Sequence, residues 1–278
     1  MEKIKHDAFT VERWVAGAFA GVTRVTIGYP FDQIKIKMQM KRDAKFTLNK
    51  CLLEMWNDGL FKSLYRGSSL SFLFSTFQMS LNFGFKSLTE KKLIENSILD
   101  NNVNLRTFIA GSVGGFFHAL TISPVDYLRI QQMALKTDSL KSTFRQVKLL
   151  DMTRGMQATM LRDIIGMGFY FTSFSLFSDY LKREYMMNHY FASLISGSLA
   201  GVCWWAPTYP FDISKTMLQK DISTPRKYKN MMATFRTLYA EAGMKGFVRG
   251  LDMCILRAII VNAGVFVTAD YIHTFLTN

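Results

Sequence analysis

The chain has 278 residues, of which 49% are hydrophobic and 14% aromatic, with 17 Met and only 5 Pro, a composition of long apolar helices rather than of a loop-rich soluble fold. Its formal net charge of +13 is scattered as single Lys and Arg among apolar runs, which argues against nucleic acid and for an anionic membrane surface or anionic solutes as partners. Cys51, Cys203 and Cys254 have no CxxC spacing and no histidine cluster nearby, so free thiols are expected, with neither a disulfide framework nor a metal site.

A mean hydropathy of +0.09 is low for a multi-span membrane protein and implies helices with one apolar side and polar residues turned to a shared interior. Met1 to Val11 has no apolar signal core and carries Glu2 and Asp7, so targeting information is expected to be internal. The first predicted span, 12–38, contains Gly17 and Gly21 followed by Pro30-Phe-Asp32-Gln-Ile-Lys35. An amphipathic stretch at 47–56 then leads through Arg66-Gly67 to a second span at 68–90. The same order recurs with Gly111, Gly115 and Pro124-Val-Asp126-Tyr-Leu-Arg129 in span 105–133, a stretch at 139–150, Arg154-Gly155 and span 156–182. It recurs again with Gly197, Gly201 and Pro210-Phe-Asp212-Ile-Ser-Lys215 in span 190–219, a stretch at 230–242, Arg249-Gly250 and span 251–276. The three units, 11–95, 104–185 and 190–276, are modules of two long helices each, joined by short polar links into one bundle.

Each proline removes a helix amide donor and is expected to bend its helix inward. The acid and base that follow it are three residues apart and share a helical face. They can pair locally, or cyclically as a ring of Asp32, Asp126 and Asp212 with Lys35, Arg129 and Lys215. The cost of unpaired charge at membrane depth favours the ring. No nucleophile–base pair, metal-ligand cluster or phosphate-binding glycine loop stands out, so neither an enzyme nor a cofactor is expected.

These three Pro-x-Asp-x-x-Lys/Arg copies, each with an Arg-Gly step before the next helix, resemble the mitochondrial carrier family over nearly the whole chain. The resemblance implies an all-α membrane protein of one domain, 1–278, with six transmembrane helices in three pseudo-repeats around a central cavity and short amphipathic helices on the matrix side. It implies a multi-pass protein of the mitochondrial inner membrane, or of a related organelle, that works as a monomer by alternating access. The charged ring then corresponds to the family's matrix gate, with Gln39 and Gln219 as braces. Gly67, Gly155 and Gly250 would present backbone amides to a cardiolipin-type lipid phosphate. The cytoplasmic gate of the family survives only as Asp270 and His273, the other aligned pairs being Ser87/Glu90 and Ser175/Ser178, so the empty protein is expected to rest open outward with the matrix ring shut.

The family's solute positions fall at Phe74-Ser75, Arg162-Asp163 and Arg257-Ala258. An Arg-acid pair resembles the amino-acid branch, which includes carriers of ornithine-like amino acids and carnitine esters: guanidinium forks a carboxylate and Asp163 meets the cationic nitrogen. Being adjacent, Arg162 and Asp163 are expected on different faces. Trp204 is a candidate box for a cationic head, and Arg24 is level with it. Gln78 and the residues after it resemble the adenine nucleotide carrier instead, making ATP/ADP the alternative solute. A structural or signalling membrane protein without transport is the second alternative.

Overall fold

The computed structural model describes the backbone of residues 11–41, 46–137, 139–221, 223 and 225–277, and the side chains of these except 11–21, 75, 76, 79, 149, 190 and 265–277. In chain order the α-helices are α1 (Val11–Met40), α2 (Leu48–Asn57), α3 (Leu60–Leu64), α4 (Ser68–Glu95), α5 (Val103–Ala134), α6 (Leu140–Gln146), α7 (Met156–Glu184), α8 (His189–Lys220), α9 (Met231–Ala242) and α10 (Leu251–Thr277). Short 3-10 turns at Leu149–Thr153 and Gly243–Phe247 precede α7 and α10. There is no strand among the described residues.

The six long helices pack in a closed cycle, α1 on α4, α4 on α5, α5 on α7, α7 on α8, α8 on α10 and α10 back on α1. Asn102 and Asn230 cap α5 and α9 by accepting from Leu105 N at 3.2 Å and Ala233 N at 2.8 Å, which satisfies donors the first helical turn leaves open. The helices α1, α5 and α8 continue through Pro30, Pro124, and Pro207 with Pro210. All three reach one end of the bundle, where the short helices lie.

Polarity runs opposite to that of a water-soluble protein. Gln33, Gln131, Asp163, Asp212, Lys215 and Gln219 are buried, while Leu73, Phe77, Leu88, Phe191 and Ile259 are exposed. Of the described helices, only Val103–Ala134 is long and apolar enough to cross a membrane by length and composition, with a mean hydropathy of 1.4. The other long helices spend their polar residues inward, which lowers the average along the chain without making the outer surface polar.

Small residues set the closest helix approaches. At Gly115 of α5 a side chain would overlap the Asp163 carbonyl of α7, and at Gly111 it would meet the Met167 carbonyl at 2.7 Å. Backbone cannot yield there as a flexible side chain can. Gly115→Ala is therefore expected to lower the unfolding midpoint of the detergent-solubilised protein, by about 1–3 kcal/mol of lost stability; an unchanged midpoint would refute the contact.

The end carrying the short helices is stitched by main-chain acceptors at the three Arg-Gly steps. The Arg66 carbonyl takes Tyr29 Oη–H at 2.8 Å and Gln33 Nε2–H at 2.9 Å, that of Arg154 takes Gln219 Nε2–H at 3.2 Å, and that of Arg249 takes Tyr209 Oη–H at 2.5 Å. Two surface ion pairs join neighbouring repeats, Lys136 with Asp58 at 2.9 Å and Arg226 with Asp151 at 2.7 Å. The hydrogen bond from Lys136 holds the Asp58 carboxyl below its ordinary range. That tie is complete above the unfolded-state value and is lost as pH falls through the lowered one. The three cysteines are free, and burial pushes the Cys51 thiol up to about 11, leaving it unreactive.

Candidate functional site

The cyclic pairing is the one adopted. Lys35 Nζ of α1 lies 2.6 Å from Asp212 of α8, Arg129 Nη2 of α5 lies 3.3 Å from Asp32 of α1, and Lys215 of α8 bonds Asp126 of α5. Each contact joins different repeats, as the ring requires, and the alternative of local pairs within each helix is not adopted. Asp212 is nearly sealed, at 3% side-chain exposure, and Asp32 at 19% is the most open of the three. Arg129 meets Asp32 without hydrogen-bond alignment, so that corner is the loosest.

Two arginines from the other set of helices join the ring. Arg162 of α7 reaches Asp212 Oδ1 with Nη1 at 3.1 Å and Asp126 with Nη2 at 4.0 Å, while Arg257 Nε of α10 lies 3.0 Å from Asp32 Oδ1. Every ring acid is thereby shared between a lysine or arginine of α1, α5 or α8 and an arginine of α7 or α10. Arg162 also turns back on its neighbour, with Nε 2.7 Å from Asp163 Oδ1, so the expectation of separate faces is corrected: the long guanidinium stem curls across the one-residue offset. The second oxygen of Asp163 contacts His118 Nδ1 at 2.9 Å.

Gln39 donates to Asp212 Oδ2 at 2.9 Å and accepts from Thr216 Oγ1 at 2.8 Å, which places it on the ring. Gln219 does not touch a ring charge. Its amide points to the carbonyls of Arg154 and, at 3.4 Å, Ser123, because the chain before α7 passes directly over it. Gly67, Gly155 and Gly250 all have positive φ, 78°, 75° and 85°. At Gly67 the left-handed backbone favours glycine, and a Cβ there would also displace the Gln132 amide, whose Oε1 would stand 2.7 Å away.

Residues of all six long helices line a cavity of about 290 Å³ that includes the ring, Arg24, His118, Asn82, Arg162, Asp163, Trp204 and Arg257. Gln78 is buried but does not line it; Asn82, one turn further along α4, does. Phe74 packs with Leu70, Val125 and Leu128 rather than facing the cavity. Trp204 packs its indole on Gly166 and lies 5.6 Å from the Arg162 guanidinium, while Lys35 sits 4.1 Å over Trp205. Arg24, Lys35, Arg129, Arg162, Lys215 and Arg257 face Asp32, Asp126, Asp163 and Asp212, so among the described lining residues bases outnumber acids. Asp270 and His273 lie outside the described side chains. Of the aligned Ser87/Glu90 pair, Glu90 is tied to Lys86 on its own helix and accepts from Thr107 Oγ1 of α5 at 3.4 Å.

This three-fold arrangement has a match in sequence: the family model described as mitochondrial carrier protein matches residues 6–97, 100–185 and 187–278. The chain belongs to the mitochondrial carrier family. As a member it is a solute transporter of the mitochondrial inner membrane. This carrier is 29% identical over 278 residues to the mitochondrial basic amino acids transporter of Bos taurus, covering 94% of this chain and 91% of that protein. It is 27% identical over 289 residues to the mitochondrial arginine transporter BAC1 of Arabidopsis thaliana, covering 94% and 92%. It is 26% identical over 283 residues to the mitochondrial ornithine transporter 1 of Mus musculus, covering 95% and 94%. In this carrier three more polar residues join the site: His118, which stands six residues before its proline as Arg24 does, Asn82 one turn past Gln78, and Thr216 directly after Lys215; helical phase alone does not decide whether such residues face the cavity or a neighbouring helix.

Proposed function

We propose that this carrier exchanges a basic amino acid, or a carnitine-type solute with the same pair of charged ends, by alternating access through its cavity. The observation that carries the reading is the Arg162–Asp163 pair, lining one cavity with Arg257. A carboxylate takes the arginines as a fork, and a cationic nitrogen takes Asp163. Names of the relatives support the basic amino-acid class, and the adenine nucleotide alternative is not favoured. Six transmembrane helices around a central path are supported by the closed helix cycle and by buried polar residues beneath an apolar outer surface.

In this reading the ring is the matrix gate, shut in the resting state, and Gln39 braces it. A solute carboxylate competes with the ring aspartates for Arg162 and Arg257. Each arginine it takes leaves an acid with one cation in place of two, so binding weakens the ring it sits on. Left-handed turns at Gly67, Gly155 and Gly250 are candidate seats for lipid phosphate, and the carrier works as a monomer without enzymatic activity or cofactor. Purified protein in liposomes is expected to exchange labelled arginine and ornithine, and carnitine less, but not ATP. Exchange of ATP alone would overturn the solute reading and leave the fold untouched.

A further inference from the structure

His118 is a buried imidazole at the cavity wall, and it contacts the acid most relevant to a cationic solute. Its Nδ1 lies 2.9 Å from Asp163 Oδ2, and Asp163 has 0% side-chain exposure. The other oxygen of Asp163 is held by Arg162 Nε at 2.7 Å. The pair is fixed in place because Gly115, one turn before His118, is pressed on the Asp163 carbonyl. A cationic nitrogen that seeks Asp163 while Arg162 keeps its own oxygen therefore arrives where His118 already is.

Resting on the proposed carrier function, we infer that His118 is a further specificity-determining residue, whose proton competes with the cationic group of the solute for the Asp163 carboxylate. With a neutral ring, His118 donates one N–H to Asp163 and gives it up at the cost of a hydrogen bond. Once protonated, it forms an ion pair with Asp163 and adds a cation where bases already outnumber acids, so the incoming cation meets both a filled acceptor and a like charge. The charged and titratable groups around it do not offset this. From α7 it faces Asp163 and Arg162, which bond each other. From α8, Lys215 and Asp212 are engaged in the ring. From α4, Lys86 and Glu90 pair with each other, and on its own helix Asp126 and Arg129 belong to the ring. Each nearby acid already has a base.

The consequence is a discrimination that depends on pH and on the far end of the solute. Acid conditions raise the KM for a solute with a cationic side chain and spare one whose side chain is neutral, because the carboxylate goes to the arginines in both. One competing proton changes KM by about tenfold per pH unit at most.

The test is counter-exchange of labelled arginine and of glutamine in liposomes with equal internal and external pH, from about pH 7.5 to about pH 5.5, for the wild type, His118→Asn and His118→Gln. Asparagine places an amide N–H near the position of Nδ1 and carries no proton to compete. Unfolding midpoints in detergent identify any variant that fails to fold, which is why two are used. The expected result is a several-fold rise in the arginine KM on acidification in the wild type, a flat glutamine KM, and a flat arginine KM in whichever variant folds. An arginine KM that rises equally in a folded variant overturns the inference, as does a parallel rise for both solutes. Exchange of neither amino acid at any pH overturns the amino-acid solute reading and this inference with it.

Discussion

Arg162→Ala is expected to abolish arginine counter-exchange in liposomes, with a loss of about 100-fold or more in kcat/KM, corresponding to about 3 kcal/mol. The same variant should unfold at a lower temperature in detergent. Arg162 bonds Asp163 at 2.7 Å and Asp212 at 3.1 Å, and both acids are almost completely sealed from solvent. Removing the guanidinium leaves Asp163 with His118 alone and takes one of two cations from Asp212, so the penalty comes mainly from buried charge that has lost its partner. The side chain is thus part of the fold as well as of the solute site. Arg162→Lys separates the two roles, because a point charge restores part of the electrostatic balance without the planar fork. It should recover most of the unfolding midpoint and little of the exchange. Ordinary uptake kinetics in the alanine variant would remove Arg162 from the solute site.

Asp212→Asn should open the ring toward the matrix. Asp212 is its hub, receiving Lys35 at 2.6 Å, Arg162 at 3.1 Å and the Gln39 amide at 2.9 Å. Asparagine keeps the shape and removes the charge, leaving Lys35 over Trp205 without its acid. The readout is labelling of a cysteine placed at Asn262, which lines the cavity, by an impermeant reagent from the matrix side, in a background without the three native cysteines. Labelling should quicken by about tenfold or more, the equivalent of about 1.4 kcal/mol from the closed state. Exchanging the partners, Lys35→Asp with Asp212→Lys, should slow it again. Asp32→Asn should have a smaller effect, since Asp32 is more exposed and its ion pair with Arg129 lacks hydrogen-bond alignment. Unchanged labelling in Asp212→Asn would sink the assignment of the ring as a gate.

Most of the architecture was legible because three imperfect copies constrain one another. The six apolar runs became six helices, extended at their ends by a few residues, since polar end residues such as Glu95 and Glu184 continue the helical hydrogen bonding after the apolar pattern stops. The ring was legible for the same reason: six charges at matched register leave few pairings. Reading single residues by helical phase was less successful. Gln78 and Asn82 differ by one turn, yet only Asn82 reaches the cavity, because a small change in helix rotation moves a residue from the lining to the seam between helices. Gln219 and Gln39 stand at equal distance from their prolines, but the carbonyl of Arg154 captures the Gln219 amide. That competitor comes from a segment 65 residues away and has no signal in the local pattern. Spacing within one helix also says nothing of its depth against the next, and it is depth that brings Arg162 and Arg257 down to the ring.

That shared use of arginine limits how a carrier of this design can diverge. A substitution at Arg162 or Arg257 alters what the cavity accepts and, in the same step, how firmly the three repeats hold together at Asp212, Asp126 and Asp32. Selection for a new solute therefore acts on resting leak as well, and a lineage that lost either arginine would need a compensating loss of acid in the ring before the new preference could be kept.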